Sequence, residues 1–165
     1  MERLETLWRG LRGQNWCPPA RLLVLDPGDT TGWAVLDYGA LTSCGQTAGT
    51  AKGLTELLDV HQPEVVLFEE YRLYPWKAQS QSFSNLPTAR LIGALELLCE
   101  QRQLPLIGQT AQQAKGVIDD AKLKELHLYQ TSKRHANDAI RHAVYAFCCN
   151  KALPQGQCPR QDLAV

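Results

Sequence analysis

The sequence predicts one α/β domain built on a mixed sheet of five strands flanked by helices. Three observations predict it. Arg21–Asp26 and Gly32–Asp37 read as strands with room only for a turn between them, and Ala40–Thr47 follows after a second turn at Gly39; such spacing marks an antiparallel meander. Val65–Phe68 is a continuous apolar run, the pattern of a strand buried on both faces of a sheet. Helical and strand-like segments then alternate, which adds parallel neighbours to the meander. The length, 165 residues, suits one domain with a real hydrophobic core.

Each element has its own signal. Leu4, Leu7, Trp8 and Leu11 recur at helical spacing, and the run from Gly13 to Pro19 breaks the pattern. Residues 1–20 therefore read as an amphipathic extension outside the main domain, which occupies 21–150, with packing on the core as its plainest role. Leu54, Leu57 and Leu58 mark a helix that stops near Pro63. Tyr71–Leu86 is irregular, and a helix from Pro87 to Gln103 carries Leu91, Leu95 and Leu98 on one face. Leu104–Gly108 is the fifth strand. Helical patterns cover Thr110–Ile118 and Ala121–His127. The last helix, His135–Asn150, has Ala136, Ile140, Ala143, Val144 and Phe147 as its apolar face. Residues 151–165 read as a frayed tail.

Lysine plus arginine and aspartate plus glutamate balance at 17 each, so net charge is silent about a polyanionic partner. The distribution is not even. Asp26 to Glu70 holds eight acids and one base, and Tyr71 to Arg134 holds nine bases and five acids. An acidic focus followed by a basic half fits a metal site beside a nucleic-acid surface, and equally a solvated surface. Six cysteines form no CxxC pair. No apolar run approaches the roughly 20 residues of a membrane span, and no signal peptide opens the chain. The expectation is a cytoplasmic protein with reduced thiols and no membrane partner.

Three carboxylate sites lie at element ends. Asp26 closes the first strand, Glu69 and Glu70 close the central one, and Asp138 lies one helical turn after His135. Residues three apart on a helix project from nearly one face, so His135 and Asp138 can reach one point. If the two strands are neighbours, Asp26 and one glutamate sit side by side. Packed carboxylates repel unless a cation or proton intervenes, and oxygen-rich donor sets suit Mg²⁺ or Mn²⁺. Each item alone has a plainer reading: a turn cap at Asp26, a solvated strand end at Glu69-Glu70, a solvated helix side at His135 and Asp138.

The stretch "LLVLDPGDTTGWAVLD" resembles the first motif of the RuvC-type Holliday-junction resolvases, members of the RNase H-like superfamily. "EVVLFEEY" is similar to the second, and "HANDAIRHAVY" to the terminal-helix motif, especially in phage and thermophile members. The resemblance runs from about Arg21 to Asn150. It implies an RNase H-like fold and a homodimer that binds a four-way DNA junction. It also implies phosphodiester hydrolysis with two ions, Mg²⁺ or Mn²⁺, per active site. Carried over by position, the catalytic metal ligands are Asp26, Glu69, His135 and Asp138. Glu69 is favoured over Glu70 because it directly follows the apolar strand, as the glutamate of the motif does. Many members have aspartate where this chain has His135. Residues 1–20 depart from the pattern.

Recognition of a branched structure needs phosphate contacts and stacking on splayed bases. Tyr71, Arg72, Tyr74, Trp76 and Lys77 offer rings and cations directly after the central strand. Packing in the core or at a dimer interface is the plainer role for the rings. Lys115 matches a lysine near the scissile phosphate in the family, and Lys122, Lys124, Lys133 and Arg134 are candidates to line the duplex arms. The helix from Pro87, with Leu86 and Leu91 near its start, is the expected dimer interface. Rival readings exist. Sugar kinases and actin-like ATPases also grip phosphates on an aspartate-turn-threonine hairpin, but they need a second lobe. A non-catalytic junction-binding module of the same fold is another alternative, as is a flap or general branched-DNA endonuclease.

Overall fold

The computed structural model describes residues 2–13, 15–72, 86–149 and 151–157. Strands β1 (Arg21–Asp26), β2 (Thr30–Asp37) and β3 (Ala40–Ala48) form the expected antiparallel meander. The β2–β3 hairpin turns on Tyr38 and Gly39, both at positive φ (48° and 84°). That is the backbone a two-residue hairpin needs, and glycine adopts it without steric cost. Helix α1 (Glu2–Arg12) precedes the sheet, and α2 (Ala51–His61) follows it. Thr50 caps α2 by accepting the Gly53 amide at 3.0 Å, and Gln62 in the left-handed region ends it before Pro63.

Strand β4 (Val65–Glu70) pairs parallel to β1, and β5 (Leu106–Thr110) pairs parallel to β4, giving the order β3-β2-β1-β4-β5. The mixed five-stranded sheet is as expected. Helix α3 (Pro87–Gln101) lies between β4 and β5 in the chain. The fifth strand starts two residues later than the sequence suggests. Gln103 takes a positive φ of 54° to leave the helix, and Pro105 lacks the amide a ladder would use. Short helices α4 (Ala111–Lys115) and α5 (Asp120–Glu125) lead to α6 (Arg134–Cys148).

Side-chain alternation divides the core in two. Leu22 and Val24 of β1, with Val65 and Leu67 of β4, face α6, where Ala139, Ile140, Ala143 and Phe147 close one cluster. Leu23, Leu25, Val66 and Phe68 face the opposite way, onto α2 and α3. Helix α1 packs on the core: Leu4 and Trp8 are buried in the α6 cluster. Leu91, expected near an exposed interface, is buried against the sheet; Leu97 is the exposed apolar residue of α3. Cys17 is disulfide-bonded, against the expectation of reduced thiols, whereas Cys44, Cys99, Cys148 and Cys149 are free. No described helix is long and apolar enough to cross a membrane.

Candidate active site

The site begins at the strand ends. Leu25 and Phe68 are register partners in the parallel β1–β4 pair, so Asp26 and Glu69, one residue on, are neighbours at the same edge. Both share the parity of the residues that face α6. Glu70 has the opposite parity. It lies over Gly108 of β5 on the α3 side and is held by Arg72 at 3.0 Å.

Helix α6 brings the remaining groups, and three distant residues place it. Gly32 of β2 leaves the space in which the backbone of His135 sits; a Cβ there would overlap the His135 carbonyl. Gln46 of β3 accepts the His135 amide at 3.1 Å, supplying an N-terminal cap that the helix's own N-cap, Lys133, does not. At the far end, Arg12 of α1 donates to the carbonyls of Ala146 and Phe147 at 2.5 and 2.6 Å. These would otherwise be open acceptors at the negative end of the helix dipole.

In this frame Asp26 Oδ2 lies 3.1 Å from His135 Nδ1. Asp26, His135 and Asp138 each offer a ligand atom, all within 4.8 Å of one another. Glu69 joins through Lys115, whose ammonium is 2.9 Å from Glu69 Oε2 and 3.4 Å from Asp138 Oδ2. Arg141 bridges Asp138 to Asp120 of α5. Beneath the surface, His142 is fully buried, with Nε2 at 2.9 Å from Glu69 and Nδ1 at 3.0 Å from Gln109.

Burial pushes the Asp26 carboxyl up, and the Glu69 charge adds to it against the hydrogen bond from His135, leaving it at about 6. Burial also pushes Glu69 up, but His142 and Lys115 outweigh it and hold the group down at about 2. Lys115 is raised: burial disfavours its charge, and the contact with Glu69 more than compensates. A carboxylate pushed up by burial and by a neighbouring charge is where a bound cation would favour the ionised form. Two carboxylates and an imidazole fit a divalent ion of the Mg²⁺ or Mn²⁺ type. Beside this cluster a cavity of about 680 Å³ opens between Lys115, Tyr129, Lys133, Arg134 and Arg141.

The sequence matches no family model and no curated protein. Solved structures are more informative. The chain superposes on Thermus thermophilus RuvC in complex with a Holliday junction substrate with a TM-score of 0.61. The pair covers 83% of this chain and 99% of that one at 16% identity. The fold is that of RuvC. The yeast mitochondrial Holliday junction resolvase also matches (TM-score 0.57, 14% identity, 89% of this chain and 85% of that one). So does the fowlpox virus resolvase solved with substrate Holliday junction DNA (TM-score 0.50, 12% identity, 77% and 91%).

On the RuvC fold, the candidates separate. Asp26, His135 and Asp138 converge, and Glu69 stands next to them. Lys115 is drawn into the cluster. Lys133 and Arg134 line the adjacent cavity. Lys122 pairs with Glu125 and Lys124 lies over the Tyr129 ring, so neither lines it. Tyr71 and Arg72 follow β4, with Arg72 turned to Glu70 on the α3 side. Tyr74, Trp76 and Lys77 lie outside the described residues. Sequence reasoning missed Gly32, Gln46, Gln109, Arg141 and His142. His142 had a signal: it follows Asp138 by four and His135 by seven, on one helical stripe.

Proposed function

We propose that this chain is a structure-specific endonuclease that resolves four-way DNA junctions by metal-dependent phosphodiester hydrolysis, acting as a homodimer. One observation carries the reading: Asp26, His135 and Asp138 meet beside Glu69 on the fold of resolvases solved with junction DNA. The same four side chains would hold two divalent ions. Bound there, the ions would supply an activated water and stabilise the leaving oxygen.

The chain's own groups have separable tasks. Asp26, flanked by Glu69 on one side and His135 on the other, is the natural shared ligand. Glu69 is kept ionised by His142 and Lys115. Asp138 is oriented by Arg141 and Lys115. Lys133 and Arg134, which line the cavity, would hold backbone phosphates. Two cuts placed symmetrically need two sites related by a two-fold axis, which a C2 dimer provides.

The test is Mg²⁺- or Mn²⁺-dependent nicking of a synthetic four-way junction, with linear duplex and flapped DNA as competitors. Paired nicks in opposite strands, lost on adding chelator and lost in Asp26→Asn, are expected. Preference for flaps would reassign the substrate within the same chemistry. Junction binding without cleavage in either metal would overturn the enzymatic reading. Light scattering at micromolar concentration is expected to give a dimer mass.

A further inference from the structure

We propose that His142 and Gln109 are positioning residues, forming a buried support that fixes the Glu69 carboxylate in the orientation facing Asp26. The inference rests on the reading of Glu69 as a metal ligand and extends it to the groups behind the site.

The geometry is specific. Glu69 and Gln109 are register partners in the parallel β4–β5 pair, so their side chains leave the sheet on the same face. His142 descends from α6 and spans them, with one ring nitrogen to each. Both His142 and Gln109 are fully buried, and neither enters the cluster of ligand atoms formed by Asp26, His135 and Asp138. A leucine at 142 would suit the apolar stripe of α6 but would strip the buried Gln109 amide of its partner and Glu69 of a hydrogen bond. An imidazole there is explained by what it touches.

Hydrogen-bond chemistry sharpens the point. As placed, both His142 nitrogens face acceptors, Gln109 Oε1 and Glu69 Oε2, while Gln109 Nε2 is buried with no partner among the described residues. Rotating the Gln109 amide turns its N–H₂ toward Nδ1. The imidazole then accepts from Gln109 and donates Nε2–H to Glu69. Gln109 thus sets the tautomer, and the tautomer sets the donor aimed at the carboxylate. Lys115, the other group on Glu69, is a long side chain with 37% exposure and cannot fix a rotamer as a buried ring does.

The test measures Mn²⁺ binding to the full chain without DNA, by the electron paramagnetic resonance signal of free Mn²⁺. Thermal unfolding in chelator serves as the control for folding. His142→Leu is expected to fold with a somewhat lowered melting temperature, since it strands the Gln109 amide, and to bind Mn²⁺ at least about tenfold more weakly. His142→Gln, which keeps an N–H donor, should recover part of that loss. In a Glu69→Gln background, His142→Leu should have no further effect on affinity. If His142→Leu does not fold, Gln109→Leu carries the test, with a severalfold loss expected and unchanged affinity overturning the proposal. Wild-type affinity in His142→Leu, with affinity lost in Glu69→Gln, overturns the support and leaves the ligand reading intact. Unchanged affinity in Glu69→Gln removes the ligand, and the support falls with it.

Discussion

Gly32 and His135 meet backbone to backbone: a Cβ added at Gly32 would overlap the His135 carbonyl and come within 2.8 Å of its Cβ. Gly32 is also the register partner of Asp26. The residue opposite the first carboxylate is therefore the one that admits the imidazole. Gly32→Ala should push the start of α6 off the sheet at a cost of about 1–3 kcal/mol, the range for overpacking a filled site. Mn²⁺ affinity should fall with it. Melting temperature and Mn²⁺ titration check this; a variant that melts and binds as wild type would mean α6 yields freely at that point.

Asp26→Asn should abolish cleavage while sparing junction binding, and in chelator it should alter the pH dependence of stability. The folded protein holds the Asp26 proton up to about pH 6, against 3.8 for the ordinary group. Stability from that proton is complete below the ordinary value and lost as pH rises through about 6. Asparagine does not titrate. Relative to wild type, the variant should gain about 3 kcal/mol in full between acid and neutral pH, at 1.36 kcal/mol per unit, and somewhat less from pH 4 upward. Glu69, held at about 2 against an ordinary 4.5, contributes stability that is complete only above its ordinary value, and this contribution is common to both proteins and cancels in their difference. Urea unfolding at pH 4 and pH 7.5 decides it, and a constant difference between the two proteins would contradict the burial argument.

Glu69→Gln and Glu70→Gln should part company. Glu69 shares the face of Asp26, whereas Glu70 turns to Arg72 on the other side of the sheet. Cleavage should be lost in the first. In the second it should stay within about twofold, as expected for a partly exposed change outside the site. The reverse result would put the catalytic glutamate on the α3 face.

His135→Asp should move metal preference from Mn²⁺ toward Mg²⁺. Imidazole suits Mn²⁺ better than Mg²⁺ and binds only when neutral; a carboxylate adds charge and stays ionised to about pH 4. Activity should also extend to lower pH. Rates from pH 5.5 to 9 in each metal test this. An unchanged metal ratio and pH profile in a folded, junction-binding variant would take His135 out of the site.

The sheet was legible because its signals are local: an apolar run at 65–68, turn residues at 38 and 39, and strand spacing. The candidate cluster was legible because Asp26, Glu69, His135 and Asp138 stand at or near element ends, where spacing and resemblance agree. What escaped depends on contacts between distant elements. Nothing local to Gln46 says that it caps a helix 89 residues later, and nothing near Arg12 points to the carbonyls of Ala146. Leu91 misled because an amphipathic stripe shows that a helix has a buried face without showing whether sheet or partner covers it.

The anchoring of α6 has a consequence for the chain as it is made. Gln46 and Gly32 wait in the hairpin and Arg12 waits in α1, each with its partner about a hundred residues or more away. Asp26 and Glu69 can pair as soon as β4 joins the sheet, but His135 and Asp138 arrive with the last helix of the described fold. A polypeptide still emerging from the ribosome therefore carries two acids and no imidazole at the site. On the proposed function, DNA-cutting ability would appear abruptly, when α6 docks, and every shorter intermediate would be harmless to the genome around it.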